Sequence, residues 1–239
     1  MEQPMLHPSL NGARACVFDV GGTLVHPDWP RLAALAEEVA GSRFSDEEMR
    51  RAFGEMLKTV GAEVQRSNAP AAVERGAHWT FRGMYGCLGL DPDACESLVG
   101  RIDRAHAERH IWCGADPEAA PVIEGLRRAG LLVAVISNTE DGRLKDSLAA
   151  AGLADKFDLM VDSHVVGLRK PDPAVFRHAL ERLGVEAAEA AFVGDSYAHD
   201  ALAARAAGMR AVLLDPLDMH PEAVCPRIRR LGDLLPREV

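Results

Sequence analysis

The chain has 239 residues, of which 48% are hydrophobic and 26% are charged, and its formal net charge at pH 7 is −9. This length suits one large domain or a domain with an insertion, and the composition is that of a globular protein. The negative charge disfavours nonspecific binding to nucleic acid or to an anionic membrane, because both are polyanions.

Signals for targeting and for cysteine chemistry are weak. No run reaches the roughly 18 consecutive apolar residues of a membrane-spanning helix, and residues 1–12 lack the basic-then-apolar pattern of a secretory signal. The five cysteines are scattered without a CxxC pair, which disfavours a zinc site or a disulfide framework. We therefore expect a cytoplasmic protein without a nucleic-acid or membrane partner, and an oligomer is possible.

The first predicted strand, RACVFD at 14–19, ends in Asp19 and continues into the turn VGGT. A short apolar run bounded by turn residues is typical of a buried strand. A carboxylate at the end of such a strand, followed by a Gly-Thr turn, can lie beside backbone N–H groups that hold a phosphate. Asp19 is therefore a candidate nucleophile.

Residues 26–115 contain several helical patterns and no clear strand run. One pattern begins at SDEE, where Ser45 is a predicted N-cap and Glu48 occupies the capping-box position. The stretch is far too long for a connection between two strands. We predict a helical cap over 26–115 and a core formed by 1–25 and 116–239.

Within the predicted cap, the segment ERGAHWTFRGMYGCLG at 74–89 collects aromatic and basic side chains. It is either a specificity surface that faces Asp19, with Arg75 or Arg82 as an anion contact, or internal packing of the helices. The other side chains in question are His78, Trp79, Phe81 and Tyr85.

Four further strands are predicted after residue 130, at 131–138, 157–162, 190–195 and 210–215, and they alternate with helical patterns. This alternation predicts an α/β fold, a Rossmann-like three-layer core with a parallel sheet and right-handed crossovers. In such sheets the ligand site lies beyond the carboxyl ends of the strands. Asp19, Ser137, Asn138 and Asp195 are therefore expected on one rim.

The residue types on this rim suit phosphate chemistry. Ser137 offers a hydroxyl and Asn138 an amide to phosphate oxygens, and Lys170 in GLRKPDP supplies a positive charge for a phosphoryl group. Asp195 and Asp200 in VGDSYAHD are carboxylates of the kind that Mg²⁺ prefers.

Four motifs in order, FDVGGTLV, ISN, RKPDP and VGDSYAHD, make the chain resemble the haloacid dehalogenase (HAD) superfamily of hydrolases. The resemblance covers about 13–25 and 115–215, and the intervening helices resemble that family's cap inserted after the first motif. It implies a small phosphorylated substrate and an aspartyl-phosphate formed on Asp19. It further implies Mg²⁺ held by Asp19, the Gly21 carbonyl and Asp195, with Asp200 nearby. Phosphate would be bound by Thr23 and Ser137, and its charge neutralised by Lys170.

Gly21 departs from that family's phosphatases, which carry an aspartate two positions after the nucleophile as general acid and base. Such catalysis is worth about 10²–10⁴-fold in rate. His26, Asp28 and His199 are candidate replacements, and a solvated loop residue is the alternative interpretation of each.

Two functions remain open from this departure. One is a Mg²⁺-dependent phosphatase, and the other is a catalytically weak HAD-like protein that binds phosphate and Mg²⁺ or regulates. The family's dehalogenases carry a tyrosine at the position of Gly21 and lack the metal aspartate, so dehalogenation is disfavoured. A phosphonatase would need a cap lysine, and the predicted cap has only Lys58.

Overall fold

The computed structural model describes residues 6–41, 43–66 and 78–236. The strands in these ranges are β1 (Ala15–Phe18), β2 (Val25–Pro27), β3 (Trp112–Ala115), β4 (Leu132–Ser137), β5 (Leu159–Asp162), β6 (Ala190–Gly194), β7 (Arg210–Leu214) and β8 (Arg227–Ile228). The α-helices are α1 (Trp29–Ala40), α2 (Asp46–Arg66), α3 (Trp79–Cys87), α4 (Pro92–Glu108), α5 (Ala119–Arg128), α6 (Leu144–Ala150), α7 (Ser163–Val166), α8 (Pro173–Leu183) and α9 (Ala203–Ala206). In the ranges described, no helix combines the length and apolar character needed to span a bilayer.

A six-stranded parallel sheet in the order β5-β4-β1-β6-β7-β8 forms the centre of the molecule. The strand β1 lies in its interior, and all four of its residues are fully buried. Cys16 and Phe18 face one layer of helices, and Ala15 and Val17 face the other. The predicted α/β fold with helices on both faces of a parallel sheet is confirmed.

The helices α1 to α4 pack around a hydrophobic cluster of their own. The helix α2 begins as its capping signal predicts: the Ser45 hydroxyl accepts the N–H of Glu48 at 3.3 Å, and Glu48 accepts the N–H of Ser45 at 2.8 Å. The cluster includes Trp29, Leu32, Met49, Phe53, Met56, Phe81, Met84, Tyr85, Leu98 and Ile102.

The prediction that 26–115 contains no strand is wrong. The strand β2 pairs antiparallel with β3, so that His26 lies opposite Gly114 and Pro27 opposite Trp112. This ribbon carries the chain from the central sheet to α1 and back from α4. Each strand is too short for a period-2 pattern to show in the sequence, and each one's backbone partner is distant along the chain.

One of the helical patterns between the predicted strands, HDALAARAAGM at 199–209, differs in detail from a regular α-helix. Its first four residues belong to a wide π turn, Tyr197–Leu202, and α9 follows this turn. The hydroxyl of Ser196 accepts the N–H of His199 at 3.3 Å and begins the turn. A single π turn inside a helical segment is often found at a functional site.

Candidate active site

Three carboxylates meet beyond the carboxyl ends of β1 and β6. Asp19 follows β1, Asp195 follows β6, and Asp200 lies in the π turn. One oxygen of each carboxylate lies within 4.8 Å of the others. The topology explains this convergence, because neighbouring parallel strands end at the same edge of the sheet.

Lys170 joins two of these carboxylates. Its Nζ lies 2.5 Å from Oδ1 of Asp19 and 2.6 Å from Oδ1 of Asp200, and its side chain is only 4% exposed. Burial alone would lower the pKa of Lys170, but the charges of Asp19 and Asp200 outweigh burial and raise it. The lysine is therefore a permanent ammonium at the site.

The carboxylates carry more negative charge than Lys170 can neutralise. Burial, together with the charge of Asp200, raises the pKa of Asp19 to about 6 against the attraction of Lys170. Burial and the charges of Asp19 and Asp200 raise the pKa of Asp195 as well. A divalent cation with a preference for oxygen ligands fits this donor set, because it would balance the excess charge.

The turn after Asp19 depends on glycine at position 22. Gly22 has φ of +91°, and a Cβ there would lie 2.0 Å from Oδ2 of Asp195. No side chain fits between the turn and this carboxylate. Gly22 is thus the residue that lets Asp195 approach the backbone next to Asp19.

The three predicted phosphate ligands have different surroundings. Ser137 ends β4 and lines the same cavity as Asp19. Thr23 is fully buried, and its hydroxyl lies 3.4 Å from Oδ2 of Asp19 as a donor. Asn138 uses both ends of its carboxamide on the backbone of Lys170, donating to the carbonyl at 2.8 Å and accepting the N–H at 2.9 Å.

A cavity of about 390 Å³ opens over this group and extends towards α2, α3 and α4. Part of its wall is aromatic, and four imidazoles also line it. The aromatic residues are Phe53, Trp79, Phe81 and Trp112, and the imidazoles are His78, His106, His110 and His199.

Two of the three candidate replacements for an acid or base are paired with other residues and do not line the cavity that contains Asp19. His26 pairs with Asp116 at 3.3 Å, and Asp28 caps α1 and forms an ion pair with Arg109. Neither of them lines the cavity. His199 does line it, with Nδ1 3.2 Å from the hydroxyl of Ser196.

The described part of the segment 74–89 both packs among the helices and lines the cavity. Phe81 packs in the cluster of α1 to α4, and Phe81 also lines the cavity together with His78 and Trp79. Tyr85 is fully buried and donates to the carbonyl of Leu32 at 2.7 Å. Arg82 pairs with Glu96 at 3.1 Å and does not line the cavity, and Arg75 lies outside the described residues.

Lys58 is also placed outside the cavity. Its Nζ donates to the carbonyl of Met219 at 2.7 Å, and Lys58 is not among the residues that line the space around Asp19. A phosphonatase would need a cap lysine that reaches the substrate, and Lys58 does not line the cavity in which the substrate would lie.

Sequence reasoning missed the role of Trp112 and the two histidines before it. His106, His110 and Asp141 bring donor atoms within 4.8 Å of one another in the lining of the cavity. No local pattern in HIWCGAD signals these contacts, since they depend on how α4 and β3 pack over the sheet. A tryptophan next to a predicted domain boundary is the one feature that could have drawn attention.

The chain is similar in sequence to known hydrolases and phosphatases. The sequence profile of the haloacid dehalogenase-like hydrolases matches residues 13–208. A phosphoserine phosphatase of Thermus thermophilus is 45% identical over 66% of this chain and 61% of its own length. A phosphatase of Mycobacterium tuberculosis is 30% identical over 92% of this chain and 96% of its own length.

A solved L-2-haloacid dehalogenase has a TM-score of 0.64 at 25% identity, covering 93% of this chain and 96% of that one. For three of the curated relatives, the matched stretch spans only 49% to 61% of the relative's length. The profile nevertheless covers most of the present sequence, from before β1 to after α9. The chain belongs to the haloacid dehalogenase-like hydrolase family.

Proposed function

We propose that the chain is a Mg²⁺-dependent phosphatase that acts on a small phosphorylated molecule through an aspartyl-phosphate on Asp19. The observation that carries the proposal is the group of Asp19, Asp195 and Asp200, in which the buried Asp19 and Asp200 are both paired with Lys170. Relatives named as phosphatases support a phosphate ester as substrate.

Asp19 is the nucleophile in this mechanism. One of its carboxylate oxygens attacks phosphorus, the bond from phosphorus to the leaving oxygen breaks, and the leaving oxygen takes the electron pair. Lys170 stabilises the charge of the transferring group, and the hydroxyl of Ser137 donates to a phosphoryl oxygen. Water then attacks the aspartyl-phosphate, which releases phosphate and regenerates Asp19.

In this proposal Mg²⁺ would be held by Asp19, the carbonyl of Gly21, Asp195 and Asp200. When bound, the ion supplies positive charge against the phosphoryl oxygens and reduces the repulsion between the carboxylates. Hydrolysis of the aspartyl-phosphate needs a base for the attacking water. His199 is the candidate among the three considered that shares a cavity with Asp19.

We also propose 26–115 as a cap over a core of 1–25 and 116–239. The separate hydrophobic cluster of α1 to α4 and the narrow ribbon of β2 and β3 support this division. The cavity between α3 and the carboxylate group is then the space in which the cap selects the substrate.

A second candidate is a protein that binds phosphate and Mg²⁺ and turns over weakly or not at all. It is favoured by Gly21, which offers no proton donor beside Asp19. Dehalogenation has less support, although a dehalogenase is among the similar structures. The carboxylate group of Asp19, Asp195 and Asp200 favours a metal-assisted reaction at phosphorus.

Acetyl phosphate with Mg²⁺ tests the proposal, because its leaving group needs no proton. We expect an acid-trapped phosphoryl group on Asp19, located by peptide mass spectrometry, and continued release of phosphate. Asp19→Asn is the control and should show neither. Phosphorylation without continued release would favour the second candidate, and no modification of Asp19 would overturn the phosphatase proposal.

A further inference from the structure

The ring of Trp112 lies directly against the position that a side chain on residue 21 would take. A Cβ on Gly21 would lie 3.2 Å from Cζ3 of the indole and 3.5 Å from its Cε3 and Cη2. Contacts of 3.2 Å are closer than the ordinary packing distance between carbon atoms. The indole therefore stands at the point where a side chain at position 21 would enter the cavity.

The surroundings hold Trp112 in this position. Its carbonyl accepts the hydroxyl of Ser147 at 2.9 Å and Nδ1 of His110 at 3.0 Å. Its ring packs against Phe53 and Phe81, with centroids 5.9 and 5.5 Å apart. The ring is thus a fixed part of the wall, shared between β3 and the helices α2 and α3.

Three of the four imidazoles that line the cavity use a ring N–H within the protein, and the fourth, His199, is proposed above as a base that accepts a proton. Nε2 of His78 lies 2.7 Å from Asp103, and Nε2 of His106 lies 3.0 Å from Asp141. Nδ1 of His110 must carry a proton, because the carbonyl of Trp112 can only accept. Burial lowers the pKa of His110, which leaves its other nitrogen unprotonated.

At position 21 a leaving group therefore meets the ring of Trp112 rather than a carboxylic acid, and the carboxylates of Asp103 and Asp141 in the same cavity are paired with His78 and His106. An alkoxide is a poor leaving group without a proton, whereas a phenoxide leaves with its negative charge spread over the ring. Aromatic rings also gain about 0.5–1.5 kcal/mol from each other beyond the burial of area. The absence of an acid at position 21 and the aromatic wall both favour a substrate whose leaving group is an aromatic ring.

We propose, resting on the phosphatase function above, that the substrate class is aryl phosphate monoesters and that Trp112 is the specificity-determining residue for the aryl group. Asp19 attacks phosphorus and the bond from phosphorus to the aryl oxygen breaks. The phenoxide departs with the electron pair against Trp112 and Phe81, and it takes a proton from water after release. The aspartyl-phosphate left on Asp19 is the same for every substrate.

Four substrates separate the two properties, and the first turnover is the quantity to measure. Phenyl phosphate has a ring and an aryl oxygen, benzyl phosphate has a ring and an alkyl oxygen, acetyl phosphate has a good leaving group without a ring, and butyl phosphate has neither. Rapid-quench measurements with Mg²⁺ give the rate constant and the half-saturating concentration for phosphorylation of Asp19. We expect phenyl phosphate to react at least about 100-fold faster than benzyl phosphate. This factor is the lower end of the rate gain that a general acid supplies, and only benzyl phosphate needs that acid.

Trp112→Leu tests recognition of the ring, and Trp112→Phe is the matched variant that keeps an aromatic side chain. For phenyl and benzyl phosphate, Trp112→Leu should raise the half-saturating concentration about fivefold, in line with the loss of an aromatic pair. Acetyl phosphate carries no ring, so its half-saturating concentration should rise less than that of phenyl phosphate in either variant. Reaction of acetyl phosphate at Asp19 also shows that each variant is folded.

Equal rates with phenyl and benzyl phosphate would overturn the proposal, because they would require a proton donor such as His199. An equal effect of Trp112→Leu on acetyl and phenyl phosphate would overturn the specificity role and leave Trp112 a structural residue. Failure of all four substrates to phosphorylate Asp19 is a different result, since it would reject the phosphatase function itself.

Discussion

The carboxamide of Asn138 is paired at both ends with the backbone of Lys170, as donor to the carbonyl at 2.8 Å and as acceptor of the N–H at 2.9 Å. Asn138 follows β4, whereas Lys170 comes from the loop between α7 and α8. The pair therefore fixes the loop that points the ammonium at Asp19 and Asp200. This makes Asn138 a positioning residue for Lys170.

Asn138→Ala should slow phosphorylation of Asp19 roughly tenfold, since two hydrogen bonds that hold the Lys170 loop are lost. The half-saturating concentration of acetyl phosphate should change little, because the ammonium remains available in some conformations. Rapid-quench kinetics with Lys170→Met as the reference for complete loss would measure this. A rate equal to that of the unsubstituted protein would show that the loop holds Lys170 without Asn138.

Gly21→Asp alone should restore little hydrolysis of an alkyl phosphate, because the new side chain begins 3.2 Å from the ring of Trp112. The double variant Gly21→Asp with Trp112→Leu has room for the carboxyl group and should hydrolyse benzyl phosphate at least about tenfold faster than either single variant. Steady-state release of phosphate is the measurement. Additive effects of the two substitutions would contradict the steric coupling.

Gly22→Ala should destabilise the fold by about 3 kcal/mol or more, through a strained backbone and a collision with Asp195. Gly41→Ala is the matched control, because Gly41 has φ of +66° and nothing within 4 Å of its Cβ position. It should cost only about 1 kcal/mol. Urea unfolding of both variants gives the comparison, and equal losses would show that Asp195 moves aside.

Asp195→Asn should raise the free energy of unfolding without metal by on the order of 1 kcal/mol, because it removes one of three mutually repelling carboxylates. Mg²⁺ at a hundred times its dissociation constant should stabilise the unsubstituted protein by about 2.7 kcal/mol. The variant should lose most of that gain. Thermal unfolding with Mg²⁺ and with EDTA measures both effects, and a variant that is less stable in EDTA would contradict the repulsion.

Asp215 is a buried carboxylate whose pKa is lowered, whereas the pKa values of Asp19 and Asp195 are raised. It accepts the N–H groups of Met219 and His220 and pairs with Arg227 at 3.0 Å. Burial alone would raise the pKa of Asp215, but these donors outweigh it and lower the pKa.

Because the folded state holds the Asp215 proton less tightly than the unfolded state, stability from Asp215 is present above the unfolded pKa of about 3.9. It is lost as the pH falls through the lower folded pKa. Asp215→Asn should cost about 2 kcal/mol at pH 7 and progressively less below about pH 4. Urea unfolding at both pH values measures the difference, and a cost that does not shrink in acid would contradict the assignment.

Five strands of the six-stranded central sheet could be predicted from the sequence because they are apolar runs that end in polar turns, whereas the two-residue strand β8 was not predicted. Their carboxyl ends bring Asp19, Ser137 and Asp195 to one edge whatever the details of packing. The ribbon of β2 and β3 could not be predicted, since its pairing depends on a backbone partner about 90 residues away. The π turn at Tyr197–Leu202 has the composition of an ordinary helix.

Within the site, the sequence predicted which residue types are present, but it did not predict which residues they contact. The carboxamide of Asn138 and the hydroxyl of Thr23 suit phosphate, yet here they meet Lys170 and Asp19. The relation of Trp112 to Gly21 is the clearest example, because it exists only once β3 has packed beside the turn after β1. The sequence shows that residue 21 has no side chain, but it does not show that the ring of Trp112 lies beside it.

The interior position of β1 also has a consequence for synthesis on the ribosome. Ala15 pairs with Leu132 on one side and with Ala190 on the other, so the first strand made must wait for partners made much later. At ordinary elongation rates that wait is on the order of ten seconds. During it, the apolar strand ACVF has both edges unpaired, while α1 to α4 can already pack together. The nascent chain is therefore most exposed to aggregation before β4 emerges, and chaperone capture in that interval would protect the strand that carries Asp19.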